Sequence, residues 1–275
     1  MKRFQDKVVI ITGASAGIGE AAARRFAEAG AKLILSARGA ARLEAVAESL
    51  RAQGAEAVAC PGDVGDDAAC QALIQAAVDH FGGLDVLVNN AGLHHRGLVE
   101  DVAAEALADM VHVNLRSPIL LTRLALPHLR RRGGGAVVQV ASLAGRAPVP
   151  GSAVYSATKF GLRAFSRALA EELRGSGIHI SVVSPGPVDT GFIMDDIDAV
   201  SDLTFSQPIS TADEVAEAIL ACAADGKLER ALPSRSGALT TVAYVAPGLG
   251  RALRPMLERK GRKTKAKLRK ADRRP

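Results

Sequence analysis

The chain has 275 residues, 48% of them apolar, and its 35 Lys/Arg against 29 Asp/Glu give a net charge of +6. That is enough for one large α/β domain or two small ones. Cys60, Cys70 and Cys222 are odd in number, scattered and without a C-x-x-C pairing, which argues against a disulfide framework or a zinc site.

Met1 to Lys7 is too short and polar for a signal peptide, and no apolar run approaches the ~18–20 residues of a membrane helix. A cytoplasmic location is expected. The charge is uneven: residues 251–275 hold twelve Lys/Arg and two acids, or +10, which leaves −4 for everything before them.

Lys7 to Ile11 (K-V-V-I-I) is a β-branched run of the kind buried in a parallel sheet. It runs into T-G-A-S-A-G-I-G, Thr12 to Gly19, and then an amphipathic helix to about Ala29. Strand, glycine turn and helix together give such a motif its meaning. Gly13 permits the tight turn, and Gly17 and Gly19 let backbone and helix approach a pyrophosphate at the positive helix end. Dinucleotide contacts are expected from Gly13, Ser15, Gly17, Ile18 and Gly19.

The next strand, Lys32 to Ser36, ends in Ala37-Arg38. An acid here would favour NAD, whereas an arginine pairs with a 2′-phosphate. NADP(H) is therefore expected over NAD(H), which stays possible. A helix (Ala40 to Gln53) and a strand (Glu56 to Cys60) lead to Asp63-Val64; a helix (Asp66 to His80) and a strand (Leu84 to Val88) lead to N-N-A-G, Asn89 to Gly92. Small residues at Asn90, Ala91 and Gly92 leave room for an adenosine or ribose, and the asparagines can tie strand ends together. Asn89 fits either a structural or a contacting role.

His94 and His95 follow, without a carboxylate or cysteine at ligand spacing; they read as pocket-rim residues, and no metal is expected. A helical stretch, Val102 to Arg132, is expected to bend near Pro118. Asn114 within it reads as a polar group on an apolar helix face in need of partners: it fits a satisfied core amide or, preferred beside Tyr155 and Lys159, an anchor for a proton-relaying water.

The strand Ala136 to Val140 precedes Ser142. A loop then leads to a helix, Ser152 to Arg174, that carries Tyr155 and Lys159 four apart, hence on one face. An ammonium beside a phenol favours the phenolate and lowers its pKa, so Tyr155 is expected to exchange a proton with a substrate oxygen while the Ser142 hydroxyl donates to it. The strand Ile178 to Val183 ends in S-P-G-P-V-D-T. There Pro185, Gly186, Val188 and Thr190 are placed to hold a nicotinamide carboxamide. Gly191 to Ser210 reads as a mobile lid, Thr211 caps a helix to about Ala224, and Glu229 to Leu232 is a last short strand.

T-G-x-x-x-G-I-G, N-N-A-G, the Asn of V-N-L, Ser142, Y-x-x-x-K and P-G, in that order, resemble the short-chain dehydrogenase/reductase family over about Lys7 to Leu232. The resemblance implies an α/β fold: one Rossmann-like domain with a doubly wound, mainly parallel sheet flanked by helices. It implies Tyr155 as acid/base, with Lys159 holding the nicotinamide ribose and lowering the tyrosine pKa. Ser142 would orient the carbonyl or alcohol, Asn114 would maintain the relay, and Asp63, with Val64, would contact adenine.

The expected activity is hydride transfer between NADP(H) and a ketone, aldehyde or alcohol. A 3-oxoacyl thioester or steroid-type ketone is an alternative substrate, and a non-catalytic cofactor-binding scaffold an alternative of another class. Two departures stand out. A-L-P-S-R-S-G and some forty further residues replace the family's glycine-rich end, which puts four-subunit assembly in doubt and leaves a dimer through two long helices. The loop Leu93 to Leu98 points to no one substrate class.

Residues 1–235 thus form the catalytic domain, 236–258 an apolar extension, and 259–275 a basic tail expected to be disordered. The extension suits either a soluble arm packed on the enzyme or contact with an anionic membrane surface. Without interleaved aromatics, nucleic acid is not an expected partner.

Overall fold

A computed structural model describes residues Arg3 to Asp272. Seven parallel strands form one sheet in the order β3-β2-β1-β4-β5-β6-β7: β1 (Val8–Thr12), β2 (Lys32–Ala37), β3 (Ala57–Pro61), β4 (Val86–Asn89), β5 (Gly135–Val140), β6 (Ile178–Pro185) and β7 (Glu229–Leu232). The strand order reverses between β1 and β4, so a crevice opens there at the carboxyl ends.

Strand residues alternate between two apolar layers. Val9, Ile11, Leu33, Leu35, Val86 and Val88 face α1 (Gly17–Glu28), α2 (Ala40–Ala52) and α8 (Ala212–Asp225). Val8, Ile10, Ile34, Leu87, Val137 and Ile180 face α3 (Asp67–Phe81), α5 (Ser117–Arg131) and α6 (Ala153–Glu172). Both sides are buried, which is why these strands read as continuous apolar runs. As expected, Thr211 caps α8: its side chain accepts from Glu214 N while the Glu214 carboxylate accepts from Thr211 N.

One expectation is refined and another needs correction. The α-helical stretch after β4 is interrupted just before Pro118. It consists of α4 (Ala104–Val111), a wider π-helical turn (His112–Arg116) centred on Asn114, and α5, in whose first turn Pro118 sits. The backbone stays helical there, since Ser117 N donates to the His112 carbonyl across the wider turn, and that turn lies just before Pro118, which has no N–H to donate.

The tail is not irregular: α9 (Ser234–Val245) and α10 (Pro247–Asp272) are helical. Its charges are countered by the acids of the lid between β6 and α8, which holds the short helix α7 (Gly191–Met194). Arg262 and Arg269 pair with Asp202 and Asp198, and buried Lys265 donates to the carbonyls of Asp198 (2.9 Å) and Val200 (2.8 Å). Leu268 joins an apolar cluster of Ile193, Val200 and Phe205. Residues 273–275 of the expected tail lie outside the described residues.

Candidate active site

The glycine turn after β1 is built for close approach. Gly13 has φ +66°, and a methyl group on it would lie 2.9 Å from Asn90 Nδ2; one on Gly19 would collide with the Gly13 carbonyl. Asn90 Nδ2 donates to Thr12 O (2.9 Å) and Gly13 O (3.2 Å), and Thr12 Oγ1 accepts from the N–H groups of Asn90 and Ala91 (3.0 Å each). Asn90 therefore ties β4 to β1. Asn89 is structural: buried, with Nδ2 donating to Thr122 Oγ1 (3.3 Å) on α5.

Ala16 offers no side-chain cap, so the first N–H groups of α1 face the crevice unpaired by a capping side chain. A glycine cradle that no Cβ fits, beneath an uncapped helix end, suits a dinucleotide pyrophosphate.

A cavity of about 1120 Å³ runs across the carboxyl ends of the strands. Its wall includes Gly13, Gly17, Ile18, Arg38, Asn90, Ala91, Gly92, Ser142, Tyr155 and Lys159, with Pro185 at the end of β6 and Gly186, Val188 and Thr190 beyond it. Of the residues expected to contact cofactor, Ser15, Gly19, Asp63 and Val64 are not on this wall. Gly19 supports the turn from behind. Asp63 Oδ1 accepts from Gly65 N (2.8 Å), and the Val64 carbonyl accepts from Cys70 Sγ (3.2 Å).

Asn114 is fully buried. Its Oδ1 accepts from Leu93 N and its Nδ2 donates to Leu93 O, both at 2.8 Å, so the π-helical turn holds the loop after β4. A methyl group on Gly92 would lie 3.2 Å from Asn114 Oδ1 and 3.6 Å from Lys159 Nζ, which places both side chains behind that glycine. Lys159 Nζ donates to Val140 O (2.9 Å) at the end of β5. Ser142 Oγ accepts from Ala144 N (3.1 Å), an arrangement that leaves its own hydrogen to donate towards the Tyr155 phenol and the cavity.

The electrostatics differ from the sequence expectation. Lys159 was expected to lower the Tyr155 pKa directly. Instead its ammonium is engaged with Val140 and lies 5.7 Å from the phenol ring centroid. Burial pushes Tyr155 above its ordinary range; the Ser142 hydroxyl and positive Arg96 oppose this. Burial, with no acid facing it, pushes Lys159 down to about 8. At neutral pH the pair is a protonated phenol beside an ammonium that releases its proton easily.

Four further features complete the site, and of these the sequence signalled His94 alone, as a pocket-rim residue. His94 stacks on Tyr155 (centroids 4.0 Å apart, planes at 13°) and hydrogen-bonds Ser152 Oγ through Nε2 (3.0 Å). Burial first, then Arg96, Lys159 and His95, push its pKa down to about 3, so it is a neutral wall. Arg96 donates to the Phe192 carbonyl (2.8 Å) and lies 3.6 Å from Asp196, joining the loop to the lid. Arg42, in the first turn of α2 and four residues after Arg38 in the preceding loop, shares the cavity wall with it; neither has an ion-pair partner among the described residues. The R-x-x-x-R spacing was the available signal.

Glu229 on β7 is the fourth. Its carboxylate accepts from Arg146 (2.5 Å), just after Ser142, from Arg163 (2.8 Å), one turn after Lys159, and from Ser184 (3.1 Å). Arg163 also donates to Gly145 O (2.6 Å). One buried carboxylate thereby clamps the Ser142 loop to the Tyr155 helix. Burial pushes the Glu229 pKa up, but Arg163 and Arg146 outweigh it and hold the group below the usual carboxylate range.

Comparison with known proteins agrees with this geometry. The family model described as short chain dehydrogenase matches residues 7–200. Ketoacyl reductase HetN of Nostoc sp. is 38% identical over 221 residues, 80% of this chain and 77% of its own. An uncharacterized oxidoreductase of Thermotoga maritima is 38% identical over 191 residues, 70% and 75% of the two chains. The 2,5-dichloro-2,5-cyclohexadiene-1,4-diol dehydrogenase LinX of Sphingobium indicum is 38% identical over 188 residues, 68% and 75%. The chain belongs to the short-chain dehydrogenase family and is an NAD(P)-dependent oxidoreductase.

Proposed function

We propose that the protein reduces a ketone or aldehyde with NADP(H), and oxidises the corresponding alcohol in reverse. The observation that carries this reading is a buried, protonated Tyr155 hydrogen-bonded to the Ser142 hydroxyl, with Lys159 and Asn114 behind them, on the wall shared with the glycine turn. When bound, the nicotinamide supplies or takes up the hydride.

Ser142 donates a hydrogen bond to the carbonyl oxygen and orients it. Tyr155 gives that oxygen its proton, a step that contributes about 10²–10⁴-fold. Lys159, charged below about 8, restores the proton, and Asn114 fixes the loop along which it is relayed. Lys159 would also hold the ribose. Arg38 and Arg42, exposed and without acid partners among the described residues, support a 2′-phosphate and hence NADP(H).

The test is Tyr155→Phe in an assay that follows NADPH absorbance over a panel of ketones, quinones and acyl thioesters. Turnover is expected to fall by at least ~10²-fold while cofactor affinity holds. Near-normal turnover in the Phe variant would contradict the assignment. A 3-oxoacyl thioester is the second reading, favoured by the similarity to a protein named ketoacyl reductase, and the same panel separates it.

A further inference from the structure

We infer that α9 and α10 add an apolar channel to the catalytic cavity and that the substrate is an amphiphile, a carbonyl compound with a long hydrocarbon chain and an anionic end. The inference rests on the carbonyl-reductase reading and deepens it.

The family match ends at residue 200 and α9 begins at Ser234, so this wall lies outside the matched span. Leu239, Val242, Leu249, Leu253 and Met256 line the same cavity as Tyr155. Yet they are left between 40% (Leu253) and 63% (Leu239) exposed. A contiguous exposed apolar surface marks a place where something apolar sits. Its continuity with the cavity holding the reacting groups identifies the occupant as part of the molecule that reacts.

The wall is fixed in place. On α9, Tyr244 packs on Phe160 (ring centroids 5.1 Å apart) and Thr241 Oγ1 accepts from Arg146 (2.8 Å). α10 is held on the lid by Lys265 and Leu268. Charge supplies the second half of the assignment. The cavity wall carries six basic side chains and a single acid, Asp195. Arg38 and Arg42 serve the cofactor end and Arg96 and Lys159 the centre; Arg254 is paired with Glu258 (2.7 Å). Arg251, on the α10 wall, has no ion-pair partner among the described residues, which suits it to the anionic end of the chain.

Calorimetric titration of the full-length protein with butanoate, octanoate and dodecanoate, below micelle formation and with NADPH present, tests this without requiring turnover. Affinity is expected to rise about fourfold per methylene that becomes buried. Val242→Asn and Leu253→Asn, both at exposed positions, should flatten that rise at least tenfold. Arg251→Gln should erase the preference for dodecanoate over dodecanol. Affinity independent of chain length, or a rise untouched by the asparagine variants, overturns the channel. So does a wild-type dimer by sedimentation that the asparagine variants dissociate, because the apolar face would then be a subunit interface. The reductase reading fails separately, if no carbonyl in the panel consumes NADPH.

Discussion

Replacing Glu229 with alanine tests whether one buried carboxylate holds the catalytic elements together. Its side chain is 11% exposed, and those of Arg146 and Arg163 are 15% and 16%. Removing one partner of a buried ion pair costs about 3–5 kcal/mol because the remaining charge is left uncompensated. Both guanidinium groups retain some access to water, which favours the lower end, and Arg167, 57% exposed, adds little. At roughly 2–4 °C per kcal/mol for a domain approaching this size, Tm should fall by about 6–12 °C.

The catalytic effect follows from position. Arg146 and Gly145 lie beside Ser142, and a shift of about 1 Å at a reacting group costs on the order of 10²-fold in rate. Turnover should therefore fall in the surviving folded enzyme while NADPH affinity holds, since the glycine turn does not touch this cluster. Glu229→Gln keeps one acceptor and should lie between alanine and wild type. The folded-state pKa of Glu229 is depressed, so its contribution is fully present above the unfolded carboxylate value of ~4.3 and is lost as pH falls through the folded value. The Tm gap between wild type and the glutamine variant should persist at pH 7 and close in acid. An alanine variant with unchanged Tm and turnover would refute the clamp.

Other outcomes follow from neighbouring groups. Lys159 is pushed down to about 8 in the folded state but titrates near 10.4 unfolded, so the unfolded chain binds more protons between those values and wild-type stability rises by about 3 kcal/mol over that window. Lys159→Met should abolish the rise in melting curves across pH 8 to 10, be more stable than wild type at pH 7, and still lose turnover. Arg38→Ala with Arg42→Ala removes two charge-assisted contacts of about 1.5–3 kcal/mol each, so KM for NADPH should climb at least tenfold while KM for NADH barely moves. Lys265→Met should raise substrate KM and speed proteolysis between Asp195 and Leu203 without altering cofactor affinity. Arg262→Ala should do much less, because its pair with Asp202 is exposed.

What the sequence revealed is what chemistry places close together along the chain. The turn from Thr12 to Gly19 declares itself because strand, glycines and helix are consecutive, and Tyr155 and Lys159 share a face because four residues make about one turn. Arg146 and Glu229 are 83 residues apart, and no local pattern links them. The irregular turn expected near Pro118 spans His112–Arg116, around Asn114, whose amide pairs with the backbone of Leu93 across the fold. Proline's local rule was correct, but a tertiary contact set the position. The tyrosine pKa failed for the same reason: spacing brings the ammonium near, yet only the fold hands it to the Val140 carbonyl.

The tail was misread because its charge was weighed alone. A stretch of +10 repels itself, but Asp198 and Asp202 of the lid stand opposite Arg262, Lys265 and Arg269, and the repulsion becomes attachment. The body and the extension are thus joined by different physics. The sheet is held between two dense apolar layers, whereas the lid and α10 share only a small cluster around Ile193, Val200 and Phe205, supplemented by ion pairs. Few buried apolar contacts mean a low local opening free energy. The cofactor half of the cavity accordingly sits on the rigid part of the molecule, and the substrate half lies under the part least costly to move. That division suits the proposed amphiphilic substrate, which would enter and leave while the reacting groups stay fixed.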